Sequence, residues 1–148
     1  MASLDTIVRY KQSLGFSADA DKIIFAQSDS HNNVLLGGIV NGLINTMYYI
    51  SFEQTGLLFM KVAVSPTLHY QLTGEDKLIP LSAIRSLSFE PVKFSARFTT
   101  GKNRLTQIEL KIVGTDGNVM TLAAQKLIPG SPWIKQNLQN VRHMLGDI

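Results

Sequence analysis

The chain contains no cysteine among its 148 residues, which excludes disulfide bonds and thiolate chemistry. Charged residues are also scarce, at 17%, while hydrophobic residues make up 45%. This balance is typical of a folded protein and not of a disordered one. The net charge is +3 without any dense run of Lys and Arg, so an acidic partner is permitted but nucleic-acid binding is not expected.

The motifs of common enzyme and metal sites are missing as well. The three histidines, His31, His69 and His143, are scattered, and no His-x-x-x-His, Glu-x-x-His or Gly-x-Ser-x-Gly pattern occurs. There is no P-loop, and the segment GGIVNG does not fit Gly-x-Gly-x-x-Gly. Because isolated titratable residues give no mutual geometry for catalysis, we expect a protein that is not an enzyme and needs no metal or cofactor.

The N-terminal stretch MASLDTIVRYKQSLGF lacks the basic start and apolar run of a signal peptide. We therefore expect a cytoplasmic protein. The length and the absence of repeats, low-complexity tracts and linkers predict one domain over residues 1–148.

A helix is predicted near each end of the chain. Ser3 can cap the first, over residues 3–15, and Gly15 can end it. Its apolar residues fall near one face: Leu4, Ile7, Val8 and Leu14. The second, over residues 131–146, has Ser131 as its predicted cap and Pro132 at its first position. Its apolar stripe, which we expect to close a barrel mouth, begins at Trp133: Trp133, Ile134, Leu138, Val141 and Leu145.

Residues 21–127 between the helices show the features of antiparallel strands. DKIIFAQSD is predicted as a strand, and YYISFE and LLFMKVAV as a hairpin that turns at EQTG. SPTLHYQLTGED is interpreted as a loop, and KLIPLSAIRSLSFEP as one extended strand. The parity of the apolar residues shifts at Pro91, which indicates a bulge or turn before a further strand from Val92.

The last hairpin has the clearest pattern. In LTQIELKIVG, Ile108, Leu110 and Ile112 alternate with polar residues, TDGN is a hairpin turn, and VMTLAAQK returns. The predicted fold is therefore mainly β (α+β): a seven-stranded antiparallel barrel or sandwich capped by the C-terminal helix, with an extra N-terminal helix.

Seven strands followed by one helix resemble the pleckstrin-homology (PH)-like fold, in particular bacterial PH-like domains. The likeness is carried by YYISFEQTGLLFM, by LIPLSAIRSLSF, and by IELKIVGTDGNVMTL followed by PWIKQNLQNVRHML. It covers Asp21 to Leu145 and implies a groove between the helix and the sheet that can accept an added strand. The Lys/Arg motif of eukaryotic phosphoinositide-binding PH domains does not follow the first strand, so phosphoinositide binding is not implied.

The segment NNVLLGGIVNGLINTMYYISF lies in a region without a formal charge between Asp29 and Glu53. A transmembrane helix needs about 20 apolar residues. Here Asn41 and Asn45 interrupt the run and Tyr48 already belongs to the hairpin, so we expect no transmembrane span. A helix would place five apolar residues on one face: Leu36, Ile39, Val40, Leu43 and Met47. This stripe either packs on the core or forms a partner or oligomer surface.

A second candidate surface is basic. In VKFSARFTTGKNRL, Lys93 and Arg97 share the outward face of a predicted strand, and Lys102 and Arg104 lie in the adjoining turn. Four cations there could hold an anionic headgroup, an acidic peptide or a phosphate, or could simply be solvated.

These features favour a binding or scaffolding domain that docks a protein or peptide, or associates with itself as a homo-oligomer. The alternative is a peripheral binder of anionic lipid that uses the four cations and the apolar segment. A β-barrel that stores a small apolar ligand is a third possibility.

Overall fold

The computed structural model describes residues 3–28, 47–64, 70–91 and 106–146. Within them the protein is mainly β, with seven antiparallel strands in one sheet, an N-terminal helix and a C-terminal helix, which confirms the predicted fold class. The elements in chain order are α1 (Leu4–Ser13), β1 (Ile23–Ser28), β2 (Met47–Glu53), β3 (Gly56–Val64), β4 (Tyr70–Pro80), β5 (Ile84–Pro91), β6 (Gln107–Gly114), β7 (Val119–Gln125) and α2 (Trp133–Met144).

The two edge strands of the sheet are neighbours in the chain. The strand order is β4-β3-β2-β1-β7-β6-β5, yet β4 and β5 are joined only by the 3-10 turn Leu81–Ala83. A flat sheet of seven strands would separate its edges by roughly 29 Å. The link spans roughly 13 Å at most. The sheet therefore curls until its two edges meet at this turn, which we call the corner.

Neighbouring turns hold the corner in place. The Leu81 N–H donates to the Thr55 carbonyl at 2.9 Å, so the β2–β3 turn lies on one side. The Thr115 N–H donates to the Ala83 carbonyl at 3.0 Å, so the β6–β7 turn lies on the other. These two hydrogen bonds extend the β3–β4 and β5–β6 pairings into the corner. They join its backbone to a neighbouring turn on each side.

Curling the sheet creates two apolar clusters. The interior cluster contains alternate residues of the strands, such as Tyr48, Ile50 and Phe52, and receives Leu138 and Val141 from α2. The outer cluster lies on the other face of β1, β2 and β3, and α1 contributes Ile7 to it. Its buried members are Ile7, Ile23, Phe25, Tyr49, Leu58, Met60, Val62 and Ile134. Strands β1 to β3 are therefore buried on both faces, which explains why their sequences are nearly continuously apolar.

Helix α2 spans both clusters. Leu138 and Val141 close the interior as predicted, but Trp133 and Ile134 pack in the outer cluster, with the Trp133 ring 6.1 Å from the Tyr49 ring. The expectation that the whole stripe from Trp133 fills the barrel mouth is therefore wrong. The buried Asn137 amide fixes the helix to β1 by donating to the Ile23 carbonyl at 3.1 Å.

The predicted N-cap is correct for α1 and wrong for α2. Ser3 caps α1 by accepting the Thr6 N–H at 3.1 Å, as predicted. Pro132, not Ser131, is the N-cap of α2, and it makes no side-chain capping bond. Leu14 is 40% exposed and does not join the buried face of α1.

The predicted loop SPTLHYQLTGED is largely strand, because β4 starts at Tyr70. A bulge interrupts the alternation of inward and outward residues along this strand. Asp76 pairs with Met60 and Leu72 pairs with Val62, so three residues of β4 face Lys61 alone. A turn also separates β4 from β5, where a single strand was predicted. The observed seven strands therefore divide the chain differently from the predicted seven, and the predicted strand after Pro91 lies outside the described residues.

Replacing Gly56 by alanine tests how closely β3 and β4 approach. A Cβ there would lie 2.0 Å from the Ile79 carbonyl oxygen, so the strands would have to separate. We expect Gly56→Ala to lower the free energy of unfolding by about 3 kcal/mol in urea titrations followed by circular dichroism. Gly74→Ala is the matched control, because Gly74 has φ +84° but open space around its Cβ position. It should cost only about 1 kcal/mol. Equal losses would contradict the close approach.

Candidate functional site

Most of the residues predicted to form functional surfaces lie outside the described residues. This holds for Leu36, Ile39, Val40 and Leu43 of the apolar stripe and for the basic group Lys93, Arg97, Lys102 and Arg104. Met47 is described. It begins β2, pairs with Gln27 and Val62, and packs half-buried on the outer cluster. The prediction that Met47 belongs to a helical stripe is therefore wrong.

The most polar buried site joins α1 to the sheet. The Lys11 ammonium is completely buried and lies 2.7 Å from Glu53 Oε2, whose side chain is only 5% exposed. Glu53 ends β2 on the same face as Ser51 and Tyr49, beneath the last turn of α1. Burying two charges is costly unless they are paired and hydrogen-bonded, so the neighbouring groups decide whether this pair is stable.

Two serines complete the pair. The Lys11 ammonium donates to Ser51 Oγ at 3.2 Å and to Ser17 Oγ at 3.3 Å, so all three of its N–H groups have acceptors. The Ser17 hydroxyl donates to Glu53 Oε1 at 3.0 Å, and the Ser51 hydroxyl donates to Glu53 Oε2. Every donor of this cluster is used within it. The cluster therefore stabilises the contact between α1 and the sheet and leaves no proton to donate to a ligand.

The pKa of Glu53 reflects two opposing effects. Burial alone would raise it, but hydrogen bonds from Lys11, Ser51 and Ser17, together with the Lys11 charge, lower it below its ordinary value. A carboxyl group with a lowered pKa in the folded state stabilises the fold above its unfolded pKa. That contribution is lost as the pH falls through the folded pKa.

A second polar contact holds the preceding residue of α1. The Tyr10 hydroxyl donates to Asp76 Oδ2 on β4. Burial, this hydrogen bond and the negative charge of Asp76 together raise the pKa of Tyr10 to about 12. The other oxygen, Asp76 Oδ1, is buried without a hydrogen-bond partner in the described part of the chain.

Sequence reasoning missed both contacts, although one signal was available. Lys11 follows Ile7 by four residues and Leu4 by seven, which places it on the apolar face of the helix. A lysine at such a position needs an acidic partner, but the pattern does not say which of the 11 acidic residues provides it.

The sheet edges differ in regularity. β4 is bulged at Thr73–Glu75, and Glu75 bonds Lys61 across the bulge at 2.7 Å. β5 shifts register once, between Ile84 and Ser86, and then pairs with β6 in unbroken register to Pro91; no other described strand pairs with it. Bulges and charges protect edge strands from unwanted pairing, so β4 is the better protected edge, and β5 is the more open edge among the described strands.

The described residues offer neither a metal site nor a membrane-spanning helix. These contain no group of three or more His, Asp or Glu residues that could hold a metal ion. None of their helices has the length and apolar character needed to cross a bilayer.

Replacing Lys11 by methionine tests the buried pair. The variant leaves the Glu53 carboxylate buried without its cation, so we expect the free energy of unfolding to fall by about 3–5 kcal/mol. Lys11→Met/Glu53→Leu removes both charges and should recover much of that loss. Urea denaturation of the wild type, Lys11→Met, Glu53→Leu and the double variant measures the coupling. A single variant that costs less than about 1 kcal/mol would show that the pair is not buried.

The ionisation of Tyr10 gives an independent test. In spectrophotometric titration, the phenol that is present in the wild type and missing from Tyr10→Phe should titrate in a late step with a pKa of about 12. Because the folded pKa lies above the ordinary value near 10, the contact stabilises the fold fully below pH 10 and is lost as the pH rises toward 12. Tyr70→Phe is the control and should retain the late step. A difference between the wild type and Tyr10→Phe that titrates near pH 10 would refute the assignment.

No protein-family model matches this chain, and comparison with curated proteins and with solved structures also finds no match. Its function must therefore be inferred from the geometry of its own residues. That geometry provides one regular sheet edge and two polar clusters that stabilise the fold.

Proposed function

We propose that this chain is a non-catalytic binding or scaffolding domain that docks an extended protein segment along the edge of β5. The observation that carries the proposal is the contrast between the two edges of the sheet. One edge, β4, is bulged in its middle and charged there, whereas β5 has its register shift at its start, is regular from Ser86 to Pro91, and has a described neighbour on one side only. An extended segment can pair with such an edge through its main chain.

The backbone of β5 indicates which groups would pair. Pro91 has no N–H and lies in register with Ile108, and proline in a sheet directs its nitrogen away from the neighbouring strand. Because backbone direction alternates along a strand, Leu87 and Phe89 share the orientation of Pro91. Their N–H and C=O groups therefore point away from β6, toward an incoming strand.

The buried polar side chains between α1 and the sheet support a role without catalysis. Lys11, Glu53, Ser17 and Ser51 bond to one another, and Tyr10 bonds to Asp76. Each of these side chains holds α1 on the outer face of the sheet. A catalytic base or nucleophile would instead need a free proton site within reach of a substrate.

The strand order also supports a PH-like domain as the type of module. Four strands precede the corner and three follow it, and α2 closes the interior with Leu138 and Val141. In the PH-like resemblance, the groove that accepts an added strand lies between the sheet and this helix.

Hydrogen exchange on a peptide complex would test the proposal. Peptides selected from a random display library against the immobilised chain are added to the 15N-labelled protein. We expect the Leu87 and Phe89 amides to gain at least about tenfold protection, because an added strand accepts their outward N–H groups. The amides of Leu72 and Leu78 on β4 are the control and should not change, because their N–H groups likewise point away from the neighbouring strand. Protection on β4 alone, or selected peptides that leave Leu87 and Phe89 unprotected, would contradict the proposal.

A further inference from the structure

We infer that the segment which pairs with β5 is β5 of a second copy of this chain, antiparallel about a two-fold axis at Ser88. This inference rests on the proposed function, because it names the occupant of the same edge. A two-fold contact requires a surface that is complementary to itself. The pattern of β5 can therefore be tested position by position.

The register follows from the alternation of the strand. Leu87 and Phe89 face the interior cluster, so Ser86, Ser88 and Glu90 face outward. A two-fold axis perpendicular to the sheet pairs residues of the same face. With Ser88 opposite Ser88 of the second copy, Leu87 meets Phe89 and Ser86 meets Glu90.

The backbone groups fit this register. Leu87 and Phe89 both direct their N–H and C=O groups outward, so each Leu87–Phe89 pair exchanges two hydrogen bonds. The two-fold axis generates a second Leu87–Phe89 pair, so the contact between the two copies contains about four main-chain hydrogen bonds. Pro91 then faces Arg85 of the second copy and, having no N–H, ends the ladder at each end.

The side chains on the inner face also complement one another. Leu87 is half-buried at the margin of the interior cluster, and Phe89 is nearly buried within it. In the proposed register each Leu87 packs beside Phe89 of the second copy. Aromatic–aliphatic pairs of this kind stabilise neighbouring strands.

Charge on the outer face selects a second copy over an arbitrary strand. Glu90 lies on the outer face of β5, in register with Glu109 of β6. A cation of an added strand beside Glu90 would form a favourable cross-strand pair with it. Arg85 is exposed and lies next to Ser86 at a register shift of β5. In the two-fold register Ser86 falls opposite Glu90, which brings Arg85 of the second copy beside it.

The protected β4 edge limits the assembly to two chains. Strand addition at both edges would produce an open fibre, but β4 is bulged at Thr73–Glu75, where Glu75 forms an ion pair with Lys61 of β3. Of the two edges of the described sheet, this leaves β5 for pairing, and its two-fold contact closes on itself. One strand pair is a small interface, so we expect a roughly micromolar dimer.

Light scattering and sedimentation from about 1 µM to about 1 mM test the dimer. The variants are Glu90→Arg, Arg85→Glu and the charge swap Arg85→Glu/Glu90→Arg. We expect each single change to raise the dimer Kd about tenfold or more, since two attractions become two repulsions, and the swap to restore association. Lys77→Glu on β4 is the matched control and should dimerise like the wild type.

The outcomes separate this inference from the proposed function. A chain that is monomeric throughout, one that forms larger oligomers, or single variants that dimerise normally would overturn the two-fold pairing. A monomer whose Leu87 and Phe89 amides are still protected by selected peptides would retain β5 as a docking edge for other proteins. Failure of both measurements would remove the docking edge as well.

Discussion

The short corner between β4 and β5 determines the shape of this protein. Leu81–Ala83 joins the two ends of a seven-stranded sheet, so the sheet has to curl and enclose one of its faces. The enclosed face is the interior cluster, which α2 closes. The same geometry leaves β4 and β5 without a mutual ladder, because they meet only where the chain passes from one to the other. An enclosed core and two edges without a further partner among the described strands are thus consequences of one connection.

The apolar outer face of the sheet also has to be covered. A curled sheet buries only one face, yet Phe25, Tyr49 and Met60 make the other face of β1 to β3 apolar as well. Helix α1 covers this face, aided by Trp133 and Ile134 of α2. Ile7 supplies apolar contact, while Lys11 and Tyr10 reach polar groups on β2 and β4. Oriented polar contacts of this kind fix how a helix lies on a sheet, whereas apolar contact alone tolerates several arrangements.

The sequence predicts regular elements well and their interruptions poorly. The β6–β7 hairpin was recognisable because Ile108, Leu110 and Ile112 alternate without a break and TDGN sits between the strands. β4 was not, because the bulge at Thr73–Glu75 breaks its period. Lys11 was overlooked for a related reason: its environment depends on Glu53, 42 residues later, and a local pattern contains no such information.

The candidate edge was only partly predictable. The resemblance to PH-like domains indicated a groove that could accept a strand, but not which edge is regular. That distinction depends on the register of β4 and β5 with their neighbours, and a shift of one or two residues is invisible in composition or periodicity. The like-charged pair of Glu90 and Glu109 is equally a property of register, since 19 positions separate these residues in the chain.

The pairing of β1 with β7 bears on how the molecule is made. Ala26 lies opposite Ala124, and the Asn137 amide reaches back across 114 positions to the Ile23 carbonyl. During synthesis, α1 and the β1–β3 segment leave the ribosome well before these distant partners. The nascent chain can therefore place α1 against β1 to β3 first, while the enclosed face stays open until translation delivers the final helix, which also completes the outer cluster with Trp133 and Ile134. That interval is when a chaperone would have the most apolar surface to protect.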